Sequence, residues 1–157
     1  MRRFLTSSYA LLISRIVLGG VFLVAGVTKI LDPGALAASI RSYELSLPEW
    51  FVSFSAYSLP YLEALLGFYL LIGLFTKVSA WTANGFLVLF LFALIQGALR
   101  GIEINCGCFG SAGGGGPGNL WVDAACDIGF LALGLHIALA PLSRFSVDAK
   151  LRQQKAR

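Results

Sequence analysis

A chain of 157 residues that is 57% hydrophobic and only 13% charged, with a mean hydropathy of +0.80, carries more apolar surface than a soluble domain of its size can bury. This excludes a soluble globular fold, and a formal net charge of +4 is too weak a basic field for nucleic-acid binding. A membrane helix needs about 20 mostly apolar residues, so the chain has room for four spans and short connections but no separate soluble module.

The first apolar run extends from about Tyr9 to Leu31 and ends at the turn signal Asp32-Pro33-Gly34. Met1-Arg2-Arg3 ahead of it also suits a signal peptide, but the run exceeds a typical h-region and further spans follow, which favours an uncleaved helix. Residues 34–47 are more polar and are expected to form a short surface helix carrying Arg41, Tyr43 and Glu44. Pro48 suits a first-turn position, which needs no backbone N–H, and opens a second span over about 49–75 with Pro60 as an internal kink. A third span covers about 78–99. The fourth covers about 120–140, opened by Asn119 as N-cap and closed by Pro141. The expected fold is an all-α integral membrane protein, a four-transmembrane-helix bundle occupying residues 1–143 as a single domain, followed by a basic tail over 144–157.

Charge distribution gives the bundle a direction. Eight of the twelve Lys and Arg residues fall in the N-terminus, the loop holding Lys77 and the tail; four spans put these three segments on one side. The positive-inside rule then places both termini in the cytoplasm and the protein in the cell (inner or plasma) membrane, crossing it several times. Trp50 and Trp121 lie near the outer interface and Trp81 near the inner one, as an aromatic belt requires.

The outward loop after the third span reads Asn105-Cys106-Gly107-Cys108-Phe109-Gly110. An i,i+2 cysteine pair can reach disulfide geometry, Gly107 relaxes the backbone of the small ring, and ring strain makes such a bond easier to reduce. That suits disulfide exchange better than stapling. A soft-metal site would need further ligands, and Cys126, His136 and Met1 supply no convincing set, so no metal is expected. A structural or incidental pair is the remaining alternative. Cys126, two helical turns into the fourth span, reads either as a small packing residue or as a third, resolving thiol within reach of the glycine-rich stretch Gly110–Gly118.

Ionisable side chains within membrane spans are costly, and they are usually paired or functional. Arg15, Lys29, Glu63, Asp123 and Asp127 qualify. Glu63 falls near mid-bilayer, with Lys29 above and Arg15 below; depth alone does not choose its partner. The set reads either as structural ion pairs or as a polar pocket for a head group such as a quinone carbonyl. Gly19, Gly20, Gly26, Gly67 and Gly73 read as close helix packing, Asn84 and Gln96 as interhelical hydrogen-bonding groups, and His136 as a core residue. No Ser-His-Asp set, phosphate-cradling loop or HExxH motif is present.

These residues also carry a family resemblance. The run from Arg15 through Gly19 and Gly26 to Lys29 resembles the first helix of the DoxX-like membrane proteins, and Leu59-Pro60-Tyr61-Leu62-Glu63 with Gly67 and Gly73 resembles their second. Cys106-Gly107-Cys108-Phe109-Gly110 is similar to the MauE (methylamine utilisation) branch, and together the motifs cover about residues 13–130. The resemblance implies a four-helix bundle that works with an extracytoplasmic thioredoxin-like partner on a disulfide-containing client, as in maturing the small subunit of methylamine dehydrogenase. It also implies electron exchange with membrane quinone. Where the family often has a basic residue before the acidic one early in helix four, this chain has Cys126-Asp127, which argues against an inherited ion-pair role for Asp127. The expected function is thiol–disulfide exchange by Cys106 and Cys108, with Cys126 as a further thiol and Arg15, Lys29, Glu63 and Asp127 around a quinone. The rivals are a small-solute transporter and a non-catalytic membrane assembly factor.

Overall fold

Apolar runs punctuated by Asp, Pro and Gly become five helices in a computed structural model that describes residues 8–43, 47–100 and 120–140. They are α1 (Ser8–Leu31), α2 (Pro33–Ser42), α3 (Glu49–Ile72), α4 (Thr76–Leu99) and α5 (Leu120–Leu139), with no strand among the described residues. α1, α3, α4 and α5 are each long and apolar enough to cross a membrane. Glu44, Cys106, Cys108, Asn119, Pro141 and the basic tail lie outside the described residues.

Local chemistry sets the helix ends. Asp32 alone separates α1 from α2: its Oδ1 accepts the Ala35 N–H at 3.0 Å, and Pro33 comes next with a φ already suited to a first helical turn. The turn signal at Asp32-Pro33-Gly34 is thus the start of α2, which ends at Ser42 and is shorter than the expected 34–47 helix. Pro48 precedes α3 in extended conformation, and its carbonyl accepts the N–H groups of Phe51 and Val52 at 2.9 and 3.1 Å. α3 stops at Ile72, short of the expected 75, because Gly73 turns left-handed at φ 78° and returns its N–H to the Tyr69 carbonyl at 2.8 Å. α4 begins at once, at Thr76, after Phe75.

α1 packs most extensively on α3, and α4 on α5, while contacts between these two pairs are lighter. A shared core of Leu18, Phe22, Leu66, Leu70, Ala83, Leu87 and Ile137 joins the pairs. Large apolar side chains such as Phe92 (70% exposed) and Leu99 (75% exposed) point outward, the arrangement of a protein whose solvent is lipid.

The α1–α3 contact is backbone against backbone. A Cβ on Gly26 would lie 2.5 Å from the Ala64 nitrogen and 2.8 Å from the Pro60 carbonyl oxygen; one on Gly67 would lie 2.7 Å from the Gly19 oxygen. Small residues let membrane helices approach this closely, where dispersion replaces the missing hydrophobic drive. Gly20 has open space around it and takes no part.

At the lower end of this contact Arg15, only 2% exposed, caps the C-terminus of α3. Its Nε donates to the Leu70 carbonyl at 3.0 Å and its Nη2 to the Leu71 carbonyl at 3.3 Å. Carbonyls at a helix end lack intrahelical donors and carry the negative end of the helix dipole, so a guanidinium is stabilised there. Gly73 is needed a second time here, because a Cβ on it would collide with the guanidinium. Its role is this turn, not the span packing expected of it.

Asn84, buried at 4% exposure on α4, lies against Gly134 of α5, yet its amide atoms find no hydrogen-bond partner among the described residues. The expected interhelical hydrogen bond is therefore not made there. The amide faces a glycine, which has no side chain to offer.

Gly26→Ala forces the α1 and α3 backbones apart, and we expect a loss of about 1–3 kcal/mol, the usual cost of overpacking a tight contact. Gly85→Ala, at a position with nothing within 4 Å of the new Cβ, should leave stability unchanged or slightly raised. Thermal unfolding in detergent, followed by circular dichroism, compares the two.

Candidate functional site

With α1 held against α3, Lys29 comes level with Glu63. Its Nζ lies 2.9 and 2.8 Å from the two carboxylate oxygens, and the side chains are only 11% and 14% exposed. The same ammonium sits 5.2 Å from the centroid of the Phe90 ring, so the negative face of the ring adds to its stabilisation. Helix rise gives the depth. Glu63 stands fourteen residues beyond Glu49 on α3 and Phe90 fourteen beyond Thr76 on the antiparallel α4, so both lie about 21 Å along helices about 36 Å long. The pair is therefore close to the middle of α3 and α4 and beside the last turn of α1, where Lys29 stands two residues before Leu31. Lys29, not Arg15, is the partner of Glu63, since Arg15 is committed to the end of α3.

Above the shared core the two helix pairs leave a cavity of about 220 Å³ between them. Its walls are mostly apolar and aromatic: Phe22 and Ala25 from α1, Leu59 from α3, Phe86 and Phe90 from α4, and Phe130 from α5. Lys29 and Glu63 face it from one side, and Asp123, Cys126 and Asp127 from the other. α2 closes it further with Leu36, Ile40 and Tyr43. Two contacts hold α2 in place: Arg100 donates to the Tyr43 carbonyl at 3.0 Å, and Arg41 pairs with Glu49 at 2.8 Å.

Asp127 differs from the other charged groups. It is 4% exposed, it lines the cavity, and its Oδ2 has no hydrogen-bond partner among the described residues. A buried carboxyl oxygen left unsatisfied costs about 1–3 kcal/mol, which marks Asp127 as a candidate ligand contact. Cys126, the neighbouring residue, is a free and exposed thiol on the same wall.

The structure thus gathers Lys29, Glu63, Asp127 and Cys126 around one cavity, together with Asp123. It leaves Arg15 at the opposite end of α3, apart from that cavity. Cys106 and Cys108 lie outside the described residues, and no group of three or more His, Cys, Asp or Glu suited to a metal occurs among those described. The aromatic wall is what sequence reading did not name. The four-residue spacing of Phe86 and Phe90 marks one face of α4, but nothing in that spacing says which face meets Lys29.

The ion pair has a measurable signature. Glu63→Gln strands the Lys29 ammonium at mid-depth and should cost about 3–5 kcal/mol, whereas Lys29→Met with Glu63→Met should recover most of that loss. Unfolding of the three proteins in detergent measures the difference, and equal stability of the single and double variants contradicts the assignment.

A family model described as methylamine utilisation protein MauE matches residues 7–142. No curated protein and no solved structure matches the chain. The match spans all five helices and the segment that carries Cys106 and Cys108. With four helices long and apolar enough to cross a membrane, this chain belongs to the MauE family of methylamine utilisation proteins and is a multi-pass membrane protein.

Proposed function

We propose that this protein is a membrane thiol–disulfide redox protein that exchanges disulfides with an extracytoplasmic thioredoxin-like partner, in the service of maturing a disulfide-containing client such as methylamine dehydrogenase. The observation that carries this reading is the Cys106-Gly107-Cys108 run, joined to the same end of the bundle from which α5 brings Cys126 to the cavity. The basic termini belong in the cytoplasm of a cell membrane, so the cysteine loop faces the opposite side.

The exchange conserves electrons. A thiolate of the client or its thioredoxin-like carrier attacks one sulfur of the Cys106–Cys108 disulfide; a mixed disulfide forms and then resolves, leaving the partner oxidised and both cysteines reduced. Reoxidation of the pair releases two electrons and two protons. In this reading Cys126 takes part as a third thiol. The cavity suits a quinone in size, depth and aromatic lining, and its unsatisfied Asp127 oxygen leaves a polar position open for a head group. When bound, a quinone accepts the two electrons and two protons. Lys29 and Glu63 neutralise each other beside that position, Asp127 would accept a hydrogen bond from a ring hydroxyl of the reduced form, and the phenylalanine walls would hold the ring and exclude water.

Thiol trapping in intact membranes tests the exchange. Cys106→Ser and Cys108→Ser should each abolish client oxidation, and one of them should accumulate a mixed disulfide with the thioredoxin-like partner. Cys126→Ser should leave that mixed disulfide in place and slow reoxidation of the pair. Cysteines that stay fully reduced and never trap a partner overturn the proposal, and activity that survives loss of both points to transport or assembly instead.

A further inference from the structure

The polar groups around the cavity are unequal in what they still offer a ligand. Lys29 is the strong donor, and it is committed: its Nζ meets both Glu63 oxygens and the Phe90 ring. Glu63 is committed in turn to Lys29. What remains open is an acceptor, the Oδ2 of Asp127, buried and without a partner among the described residues. Apart from Asp123 and Cys126, the rest of the lining is aromatic and aliphatic, and a volume of about 220 Å³ holds one ring and a short substituent, below the size of typical drug-sized pockets.

We infer that this cavity is a binding site for a single-ring amphiphile bearing a hydroxyl, of the phenol or hydroquinone class, recognised by donation of the ring hydroxyl to Asp127 while the phenylalanines hold the ring. The ionised carboxylate is an acceptor at both oxygens, so recognition by it needs a donor on the ligand. A hydrogen bond to a charged group contributes about 1.5–3 kcal/mol, about 10- to 100-fold in affinity, and an aprotic ligand forfeits it while leaving the carboxyl unsatisfied.

This inference rests on and deepens the quinone step proposed above. A site that holds the dihydroxy form tenfold more tightly than the dione raises the potential of the bound couple by about 30 mV. That shift favours electron flow from the cysteine pair to the ring, the direction the proposed exchange requires.

The test uses redox-inert probes, so that it stands apart from the thiol chemistry. Full-length Cys106→Ser/Cys108→Ser protein, in which Cys126 is the one remaining cysteine of three, is titrated in detergent with 4-octylphenol and with its methyl ether, 4-octylanisole. The phenol should bind at least about tenfold more tightly. Asp127→Leu, which also serves as the control for partition into micelles, should bring the ratio close to one by weakening the phenol alone. Independently, the phenol should shield Cys126 on the same wall from N-ethylmaleimide, and the ether at equal concentration should not. Equal binding of the two probes, a preference that survives in Asp127→Leu, or absence of saturable binding by either overturns the inference. If Asp127→Leu does not fold, the probe ratio and the shielding of Cys126 still decide it. A positive result with inactive cysteines in the trapping experiment would leave the ligand site standing and remove the exchange reaction.

Discussion

The close approach of α1 to α3 sets the position of most other functional groups in this molecule. Gly19, Gly26 and Gly67 bring two backbones together where any side chain would hold them apart. Such a contact tolerates one register, since sliding either helix would bring side chains into the space the glycines leave. From that register come two charged contacts at different depths: Arg15 against the last carbonyls of α3, and Lys29 against Glu63 near the middle of α3. Neither contact is made within one helix. Each depends on the offset that the glycines impose.

The two contacts solve the problem of charge in a low-dielectric medium differently. Arg15 directs its hydrogen bonds to a helix terminus, where the carbonyls need donors in any case. Lys29 and Glu63 satisfy each other, with Phe90 adding its ring face. Such a pair need not add net stability over an apolar pair of equal volume, but losing one member is costly, so it enforces specificity of packing. Asp127 has no comparable arrangement among the described residues. It sits where the α1–α3 pair and the α4–α5 pair part, and α2 is pinned across the same space by Arg41 and Arg100. An intramembrane carboxyl without a partner among the described residues marks a candidate site.

Much of the site was legible residue by residue. Lys29, Glu63, Cys126 and Asp127 stand out in the sequence because charge and thiols are rare in runs this apolar. Grouping them was another matter. Arg15 belongs to the same charged set and looks equally able to meet Glu63, yet it ends at the far end of α3. Phe22, Phe86, Phe90 and Phe130 look like any other lipid-facing or core residues, and their part in the wall comes from packing alone. The glycines show the same division. Gly20 has the spacing of a packing residue and open space around it, while Gly73 serves a turn and makes room for a guanidinium.

By itself, then, the sequence determined the membrane class and the four spans. Each rests on a local property: apolar length against bilayer thickness, with Pro, Gly and Asp acting within a turn of where they stand. It also singled out the Cys-Gly-Cys loop, whose chemistry lies in adjacent residues, and with it the family. Only the tertiary structure decided which cation meets Glu63, that Asp127 and Cys126 share a cavity with that pair, and that the walls of the cavity are phenylalanine. A helix presents every azimuth to its surroundings, and periodicity cannot say which face meets which neighbour. That choice is made by contacts between segments far apart in sequence, here by where glycine lets two backbones touch.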